Sequence, residues 1–345
     1  MNINKKYFGE ELPVFIIAEL SANHNGSLET AIETIKAAKR SGADAIKLQT
    51  YTADSMTIDC NQDDFVIKGT VWEGKSLYKL YEEAYTPWEW HEELFHVAKE
   101  EGLVCFSSPF DKKAVDFLEE LNSPVYKVAS FEITDIPLIE YVASKRKPII
   151  FSTGIATIED IELALDACNR MGNHDIALLK CTSSYPAPIE EANMVMVKDF
   201  SERYNVIAGL SDHTIGHTVP IVATCFGAKI IEKHFILDRA IGGPDASFSL
   251  DEKEFTQMVK AVREAESAIG NVDYSLTEKQ KKGRDFSRSL YVVEDIKKGD
   301  VITDSNVRSI RPGFGMHPKY LKDILGKKVN RDLKKGTPLD NTQII

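Results

Sequence analysis

The sequence lacks any long hydrophobic run. No stretch approaches the roughly 18–20 consecutive apolar residues that a membrane-spanning helix needs. The opening residues, MNINKKYFGEELP, contain no apolar signal core. These two absences predict a protein that works in the cytoplasm, without a membrane partner.

Cysteine is scarce and follows no pattern. Five cysteines are scattered along 345 residues, and none of them forms a CxxC pair. An odd, dispersed set argues against a disulfide framework and against a thiolate metal site. We expect reduced thiols, as in a cytoplasmic protein.

Glycine-rich phosphate motifs and basic stretches are missing as well. No GxGxxG follows the first strand-like segment, and no GxxxxGK[ST] occurs anywhere. The net charge is −11, and no block of lysine and arginine stands out. Nucleic acid is therefore an unlikely partner, because binding to its phosphates requires a basic face.

Short apolar segments alternate with amphipathic helical patterns up to about residue 270. The pattern LETAIETIKAAKRSG, for example, has apolar residues at helical spacing and Gly42 just past its end. A (β/α)₈ barrel is the leading α/β fold, and a doubly wound open sheet is the alternative. The eight predicted strands cover residues 14–19, 44–50, 103–108, 124–130, 148–153, 176–182, 206–211 and 229–234.

One connection is much longer than a single helix requires. Residues 51–87, between the second and third predicted strands, are polar and aromatic. Long insertions in barrels commonly form lids or binding loops. We expect this segment to belong to the substrate site.

The chain changes character after residue 270. We predict a catalytic barrel over 1–272, a charged linker over 273–286 and a small domain over 287–345. The small domain contains two similar phrases, DIKKGDVIT and DLKKGTPLD, each a turn signal between short β-like segments. Because so small a domain buries little core, we expect it to dock against another surface.

Polar residues end the predicted strands, where a barrel places its chemistry. Lys47 and Lys127 lie within predicted strands. Burying an ammonium group there costs free energy unless a carboxylate or a bound anion neutralises its charge. Two interpretations are possible: the lysines form structural ion pairs with Glu19 or Glu132, or they line a pocket for a small phosphorylated or carboxylated ligand. The strand-end set is Glu19, Lys47, Gln49, Ser107, Ser108, Lys127, Ser130, Glu132, Ser152, Thr153, Thr182, Tyr185, Ser211, His213 and His234.

Two successive strands are each followed or ended by a histidine. Neighbouring strands lie about 5 Å apart, so His213 and His234 could share one ion. No cysteine adjoins either histidine. Two imidazoles with water and substrate oxygens suit Mn²⁺ or Mg²⁺ better than a closed tetrahedral zinc site.

A series of phrases resembles the sialic acid synthase family in order and spacing. They are IIAELSANHNGS, GADAIKLQT, CFSSPFD, YKVASFE, STGIAT, KCTSSYPAP, GLSDHT, EKHF, GGPDASFSLD, SLYVVEDIKKGD and IRPGFG. The resemblance covers nearly the whole chain. Its C-terminal part resembles the antifreeze-like (SAF, β-clip) domain of that family.

Within the family, the sequences of these motifs are most similar to those of the pseudaminate branch. Neuraminate members more often read AEVGxNHNG, STPFD and PSGE, where this chain has AELSANHNG, SSPFD and ASFE. The resemblance implies a transferase that condenses phosphoenolpyruvate with 2,4-diacetamido-2,4,6-trideoxy-L-altrose, giving pseudaminic acid and phosphate. It also implies a divalent metal and a domain-swapped homodimer.

The resemblance also implies roles for individual residues. Metal ligation falls to His213 and His234, and Arg311 matches an arginine that enters the partner's barrel. Catalytic positions are Glu19, Glu132, Lys47 and Lys127. Neuraminate synthases often carry asparagine where Ser183 stands. The substrate-binding positions are Gln49, Ser108, Ser130, Ser152, Ser183, Tyr185, Ser211, Asp245 and Arg311.

Three alternatives stay open at this point. The same reaction on N-acetylmannosamine or on the legionaminate precursor would require the same fold and the same lysines. A metal-dependent hydrolase on this barrel would use the ion to activate water. A glycan-binding protein would depend on the C-terminal domain alone.

Overall fold

A computed structural model of the chain describes residues 8–9, 11–70 and 72–345. The chain divides into two compact units, Met1–Gly270 and Asn271–Ile345. In the described residues, no helix is at once long enough and apolar enough to cross a membrane.

Eight parallel strands close into a barrel in the first unit, with β1 pairing to both β2 and β8. The predicted (β/α)₈ barrel is confirmed, and the open-sheet alternative is wrong. Each predicted strand matches an observed one, although β4 ends early because a 3₁₀ turn begins at Ser130. The strands are β1 Phe15–Glu19, β2 Ala45–Thr50, β3 Val104–Pro109, β4 Tyr126–Val128, β5 Ile149–Ser152, β6 Ile176–Cys181, β7 Ile207–Asp212 and β8 Ile230–His234.

Helices surround the barrel and begin at well-formed caps. In α1, the Ser27 side chain accepts a hydrogen bond from the Thr30 amide at 3.2 Å, and Gly42 with φ +85° follows the helix end. The helices of this unit are α1 Leu28–Arg40, α2 Ala53–Met56, α3 Leu77–Ala84, α4 His91–Glu100, α5 Lys112–Glu120, α6 Ile136–Ser144, α7 Ile158–Arg170, α8 Val195–Tyr204, α9 Thr218–Cys225 and α10 Glu252–Ile269.

The strands are apolar on both faces because both faces are covered. Ile16 and Ala18 pack outward into the large core between sheet and helices. The alternate residues fill the barrel interior and close it beneath the strand ends. This interior cluster contains Phe8, Phe15, Ile17, Ala45, Phe106, Val125, Ile150, Ala177, Leu179, Ile207 and Ile230.

The long connection between β2 and β3 folds as two short helices, α2 and α3, joined by a turn-rich segment. An antiparallel bridge between Val66 and Ser76 holds that segment. Its position after β2 places it at the carboxyl end of the barrel.

The second unit has its own apolar core, which includes Leu290, Ile296 and Leu333. Its two similar phrases pair with each other: Ile296 and Leu333 exchange backbone hydrogen bonds of 2.9 and 2.8 Å. The domain limits predicted above stay a prediction. The elements are α11 Glu278–Gly283, β9 Ser289–Val292, β10 Val307–Ile310 and α12 Leu321–Ile324, with β9 and β10 antiparallel.

Candidate active site

The carboxyl ends of the barrel strands surround one cavity of about 310 Å³, at the end where barrel enzymes carry their sites. Most of the site residues predicted from the sequence line it. Ser108 is buried on β3 outside this lining, and Arg311 belongs to the second unit. The predicted residues in the lining are Glu19, Lys47, Gln49, Lys127, Ser130, Glu132, Ser152, Ser183, Tyr185, Ser211, His213, His234 and Asp245.

Two lysines and two glutamates form a buried charge network at the base of the cavity. Lys47 Nζ lies 2.9 Å from Glu19 Oε2 and 3.0 Å from Glu232 Oε1. Lys127 Nζ lies 3.4 Å from the same Glu232 oxygen. All four side chains are at most 6% exposed. Desolvation at such a site is tolerated only because each charge has an opposite neighbour.

The two carboxyl groups of the network have very different pKa values. Burial raises the pKa of Glu19 to about 7, and the nearby Lys47 only partly offsets this. Burial also acts to raise the pKa of Glu232, but Lys127 and Lys47 together hold it at about 2. Glu232 is therefore the fixed anion between the lysines, while Glu19 titrates near neutrality.

The ion pair to Glu19 that was considered for the strand lysines is formed by Lys47, whereas in the described part of the chain Glu132 pairs with neither lysine. Lys127 pairs with Glu232, and Glu132 instead has an unpartnered buried oxygen, Oε2. Glu132 follows β4 in the 3₁₀ turn Ser130–Glu132. Burial raises the pKa of Glu132 to about 7, so it can give or take a proton near neutral pH.

Several serines line the same cavity as the two lysines. The Ser152 hydroxyl lines the cavity, is buried and has no hydrogen-bond partner. Ser130 Oγ accepts a bond of 3.1 Å from the Gly154 amide. A side chain at Gly154 would collide with the hydroxyls of Ser183 and Ser130, so glycine is required here. Cations beside hydroxyls and amides make an anion-binding surface.

The two histidines predicted as metal ligands face each other, with ring centroids 5.3 Å apart. His213 Nδ1 lies 3.0 Å from the Thr182 carbonyl oxygen, which leaves Nε2 as the free lone pair. Burial, reinforced by His213, lowers the pKa of His234 well below its usual value. His234 Nδ1 is buried without a hydrogen-bond partner. A neutral imidazole with an unused nitrogen is suited to binding a cation.

These residues fit a weakly held divalent ion better than a closed cage. Asp245 Oδ2 lies 3.6 Å from His234 Nδ1, the nearest additional carboxylate oxygen to that ring. Across the described part of the chain, no cluster of three or more histidine, cysteine or acidic side chains could hold a metal ion. The remaining ligands would have to be water and substrate oxygens, as octahedral Mn²⁺ or Mg²⁺ sites allow.

A polar chain runs from the charge network towards the cavity mouth. Gln49 Nε2 donates to Glu19 Oε1 at 3.1 Å and to Ser21 Oγ at 2.9 Å. Ser21 Oγ in turn donates to Asp245 Oδ2 at 2.6 Å. Burial raises the pKa of Asp245. This series of hydrogen bonds joins residues at three different strand ends. It orients Gln49 and Asp245, which were both predicted to bind substrate.

Family comparisons agree with this geometry. The sequence profile of the NeuB family matches residues 34–274, and that of the SAF domain matches residues 287–345. The chain belongs to the NeuB family. This confirms the predicted resemblance to the sialic acid synthases.

Individual relatives of the NeuB-family chain differ in the acid that they make. Pseudaminic acid synthase of Campylobacter jejuni is 50% identical over 332 residues, covering 96% of this chain and 97% of that protein. N,N'-diacetyllegionaminic acid synthase of Legionella pneumophila is 34% identical over 337 residues, covering 96% and 94%. The predicted resemblance to the pseudaminate branch and the prediction of a synthase-type enzyme are confirmed.

The fold of the NeuB-family chain also matches solved structures. The crystal structure of spore coat polysaccharide biosynthesis protein spsE from Bacillus subtilis superimposes with a TM-score of 0.68 at 32% identity. The match covers 100% of this chain and 99% of that chain. The two chains therefore share their fold over nearly their whole length.

Sequence reasoning missed Glu232 and Cys181, which both line the cavity of the NeuB-family chain. Glu232 lies two residues before His234 on β8, so the two share one face of that strand. Cys181 lies two residues before Ser183 and 3.8 Å from His213 Nδ1. The sequence did contain a signal for both residues. Side chains two positions apart on a strand point to the same face, so the residue two positions before a strand-end site residue also points into the barrel.

Proposed function

We propose that this chain is a pseudaminic acid synthase. It joins phosphoenolpyruvate to the open-chain aldehyde of 2,4-diacetamido-2,4,6-trideoxy-L-altrose, forming a nine-carbon 2-keto acid and phosphate. The greater identity to the pseudaminate relative than to the legionaminate relative supports this choice of sugar. The observation that carries the chemistry is a single cavity lined by two buried lysines, the unpartnered Ser152 hydroxyl and two facing histidines.

The lysines and serines hold phosphoenolpyruvate. Lys47 and Lys127 neutralise its carboxylate and phosphate, and they stabilise the phosphate as it leaves. The unpartnered Ser152 hydroxyl and the Ser130 hydroxyl, which accepts a hydrogen bond from the Gly154 amide and keeps its own proton, supply hydrogen-bond donors. Further proposed contacts come from Ser108, Ser183 and Ser211.

The family implies a metal-dependent enzyme, and His213 and His234 would hold the divalent cation, Mn²⁺ or Mg²⁺. When bound, the cation would polarise the aldehyde oxygen of the sugar. The hydrogen bond from His213 Nδ1 to Thr182 orients that ring whether or not an ion is bound. Tyr185 packs against it, with ring centroids 4.4 Å apart, and limits its rotation.

A carboxyl group must manage the charge that develops at C2 of phosphoenolpyruvate after its C3 attacks the aldehyde. Glu19 and Glu132 are the candidates, because burial raises the pKa of each to about 7. One stabilises the developing cation or takes a proton from the water that adds to C2. Glu19→Gln and Glu132→Gln, each with trapping of the tetrahedral intermediate, separate the roles, and full activity in both variants would refute them.

The proposal includes a cytoplasmic homodimer in which Arg311 completes the partner's site. Mixed dimers test it without truncation. Arg311→Ala and His234→Ala should each be inactive alone. Mixing them should restore activity, because the Arg311→Ala subunit retains its histidines and receives an intact arginine from its partner. A mixture that exchanges subunits and stays inactive would show that Arg311 does not act across subunits.

The function itself is tested by phosphate release from phosphoenolpyruvate. The candidate sugars are the diacetamido trideoxy altrose, its legionaminate counterpart and N-acetylmannosamine, each with Mn²⁺ and with chelator. We expect metal-dependent release with the altrose. Release with only one of the other sugars would change the substrate and keep the mechanism, and no release with any sugar would refute the synthase.

A further inference from the structure

A second buried ion pair joins the two strands that carry the candidate metal ligands. Lys233 Nζ on β8 donates to Asp212 Oδ2 at the end of β7, and the two side chains are 0% and 1% exposed. The residues lie directly opposite each other in the register of the two strands. The pair therefore ties β7 to β8 at their carboxyl ends, away from solvent.

Each member of the pair precedes one of the histidines in the sequence. His213 follows Asp212, and His234 follows Lys233. Successive side chains of a strand point to opposite faces. The histidines line the cavity, whereas the ion pair lies on the face of Leu210, which packs into the core between sheet and helices. The pair is thus behind the histidines and one residue away from each.

The same ion pair fixes the turn that follows His213. Asp212 Oδ1 accepts a hydrogen bond of 2.9 Å from the Thr214 amide. Lys233 Nζ also donates to the Thr214 carbonyl oxygen, at 2.5 Å. The residues immediately before and after His213 are therefore both held by one ammonium group on β8. A displacement of that group would move His213 relative to His234.

Stability alone gives little reason for charges at these two positions. Leu210 and Ile231 form the preceding cross-strand pair on the same face, and both are buried and apolar. An apolar pair at the next position would continue that core. Burying two charges costs desolvation energy, and buried ion pairs are often no more stabilising than apolar residues of similar volume. What the charged pair adds is short, directional bonds to defined partners.

We infer that Asp212 and Lys233 are positioning residues that set the spacing of His213 and His234 for one shared divalent cation. This inference rests on the metal assignment of the proposed function. Neither residue of the pair lines the active-site cavity, so the pair acts through the histidines and has no contact with substrate. The imidazole ring centroids, 5.3 Å apart, are the distance that the pair maintains.

The test removes both charges together, so that no unpaired charge is left buried. In Asp212→Asn/Lys233→Met, the amide keeps an oxygen for the Thr214 N–H. Calorimetry of the full chain with Mn²⁺ should show Kd rising about 10-fold, the low end of the losses seen when residues that orient metal ligands are changed. The urea midpoint should stay near that of the wild type. The matched control is Glu119→Gln/Lys147→Met, which removes a partly buried ion pair of 2.6 Å beside the start of β5 and should leave Kd unchanged.

Asp212→Glu is the second variant, and it decides if the double variant does not fold. It keeps both charges and lengthens one side chain by a methylene group, so a several-fold rise in Kd is expected from displacement alone. An unchanged Kd for Mn²⁺ in the folded variants would overturn the inference, as would a lower urea midpoint with unchanged Kd or an equal rise in the control.

A wild type that binds no Mn²⁺ would refute the metal assignment, and the inference with it. Binding is measured without turnover. A wild type that binds Mn²⁺ but releases no phosphate with any candidate sugar would therefore identify a failure of the proposed reaction separately.

Discussion

Removing the negative charge of Glu232 should destabilise the barrel strongly, although the shape of the side chain is kept. In Glu232→Gln, two buried ammonium groups lose the carboxylate that lies 3.0 Å from Lys47 and 3.4 Å from Lys127. Glutamine can still accept the Ser211 hydrogen bond, which measures 3.1 Å. Charge is therefore the main property that changes.

Two estimates of the stability lost in Glu232→Gln agree. The pKa of Glu232 falls from 4.5 to about 2 on folding, and at about 1.4 kcal/mol for each factor of ten this corresponds to about 3 kcal/mol. Removing one member of a buried ion pair costs about 3–5 kcal/mol in other proteins. We expect the free energy of unfolding to fall by about 3 kcal/mol at pH 7.

Urea unfolding followed by tryptophan fluorescence measures this loss for the barrel alone. Trp72, Trp88 and Trp90 are the only tryptophans, and all three lie in the first unit. Glu33→Gln is the control, since Glu33 pairs with Lys36 on an exposed helix face with its side chain 45% exposed. Exposed pairs contribute about 0–1 kcal/mol, so that variant should unfold almost like the wild type.

The pH dependence provides an independent check. Folding lowers the pKa of Glu232. Its contribution to the free energy of unfolding is therefore complete above about pH 4.5 and is lost as the pH falls towards 2. The difference between wild type and Glu232→Gln should shrink over that window. A loss below about 1 kcal/mol at pH 7, or a difference that does not shrink in acid, would refute the charge-network reasoning.

Three further predictions concern single groups. Ser152→Ala should leave the urea midpoint almost unchanged, because its hydroxyl has no partner, while KM for phosphoenolpyruvate rises several-fold; a loss of stability with unchanged KM would contradict this. Glu132→Gln should match the wild type in melting temperature at pH 4 and exceed it at pH 8, because burial raises the pKa of Glu132 from 4.5 to about 7 and its ionised form is the costly one; parallel pH profiles would be the contrary result. His234→Ala should abolish Mn²⁺ binding measured by calorimetry, and heat of binding like that of the wild type would exclude His234 as a ligand.

Strand positions were predictable because both faces of each strand are buried and the βα period repeats eight times. Apolar segments of four to six residues between turn signals leave little freedom in where a strand begins. The end of β4 was not predictable to the residue, because Ser130 is as polar as a strand-end residue and differs only in its turn geometry. Lys47 and Lys127 were recognised as unusual for the same reason: ammonium groups do not belong in an apolar segment without a partner.

The partner of Lys127 could not be predicted from local sequence. Glu232 is 105 positions away, and the contact exists because β7, β8 and β1 close the barrel. Register in a closed sheet is a property of all the strands together. The role of the insertion was foreseen in outline, yet which of its side chains line the cavity could be seen only in the folded structure. Side-chain direction in a turn-rich segment has no period from which it could be inferred.

The segment 51–87 and the strand-end base of the cavity differ in how they are encoded. The base draws on residues from nearly every strand, spread from Glu19 to His234, so altering it requires coordinated substitutions across the gene. The segment contributes Met56, Trp72 and Leu80, among others, to the cavity lining from one continuous part of the chain. One recombination event could exchange that segment while leaving the reaction chemistry intact. Related synthases could therefore acquire new sugars by inheriting a replaced loop, and the same exchange offers a direct route to engineering them.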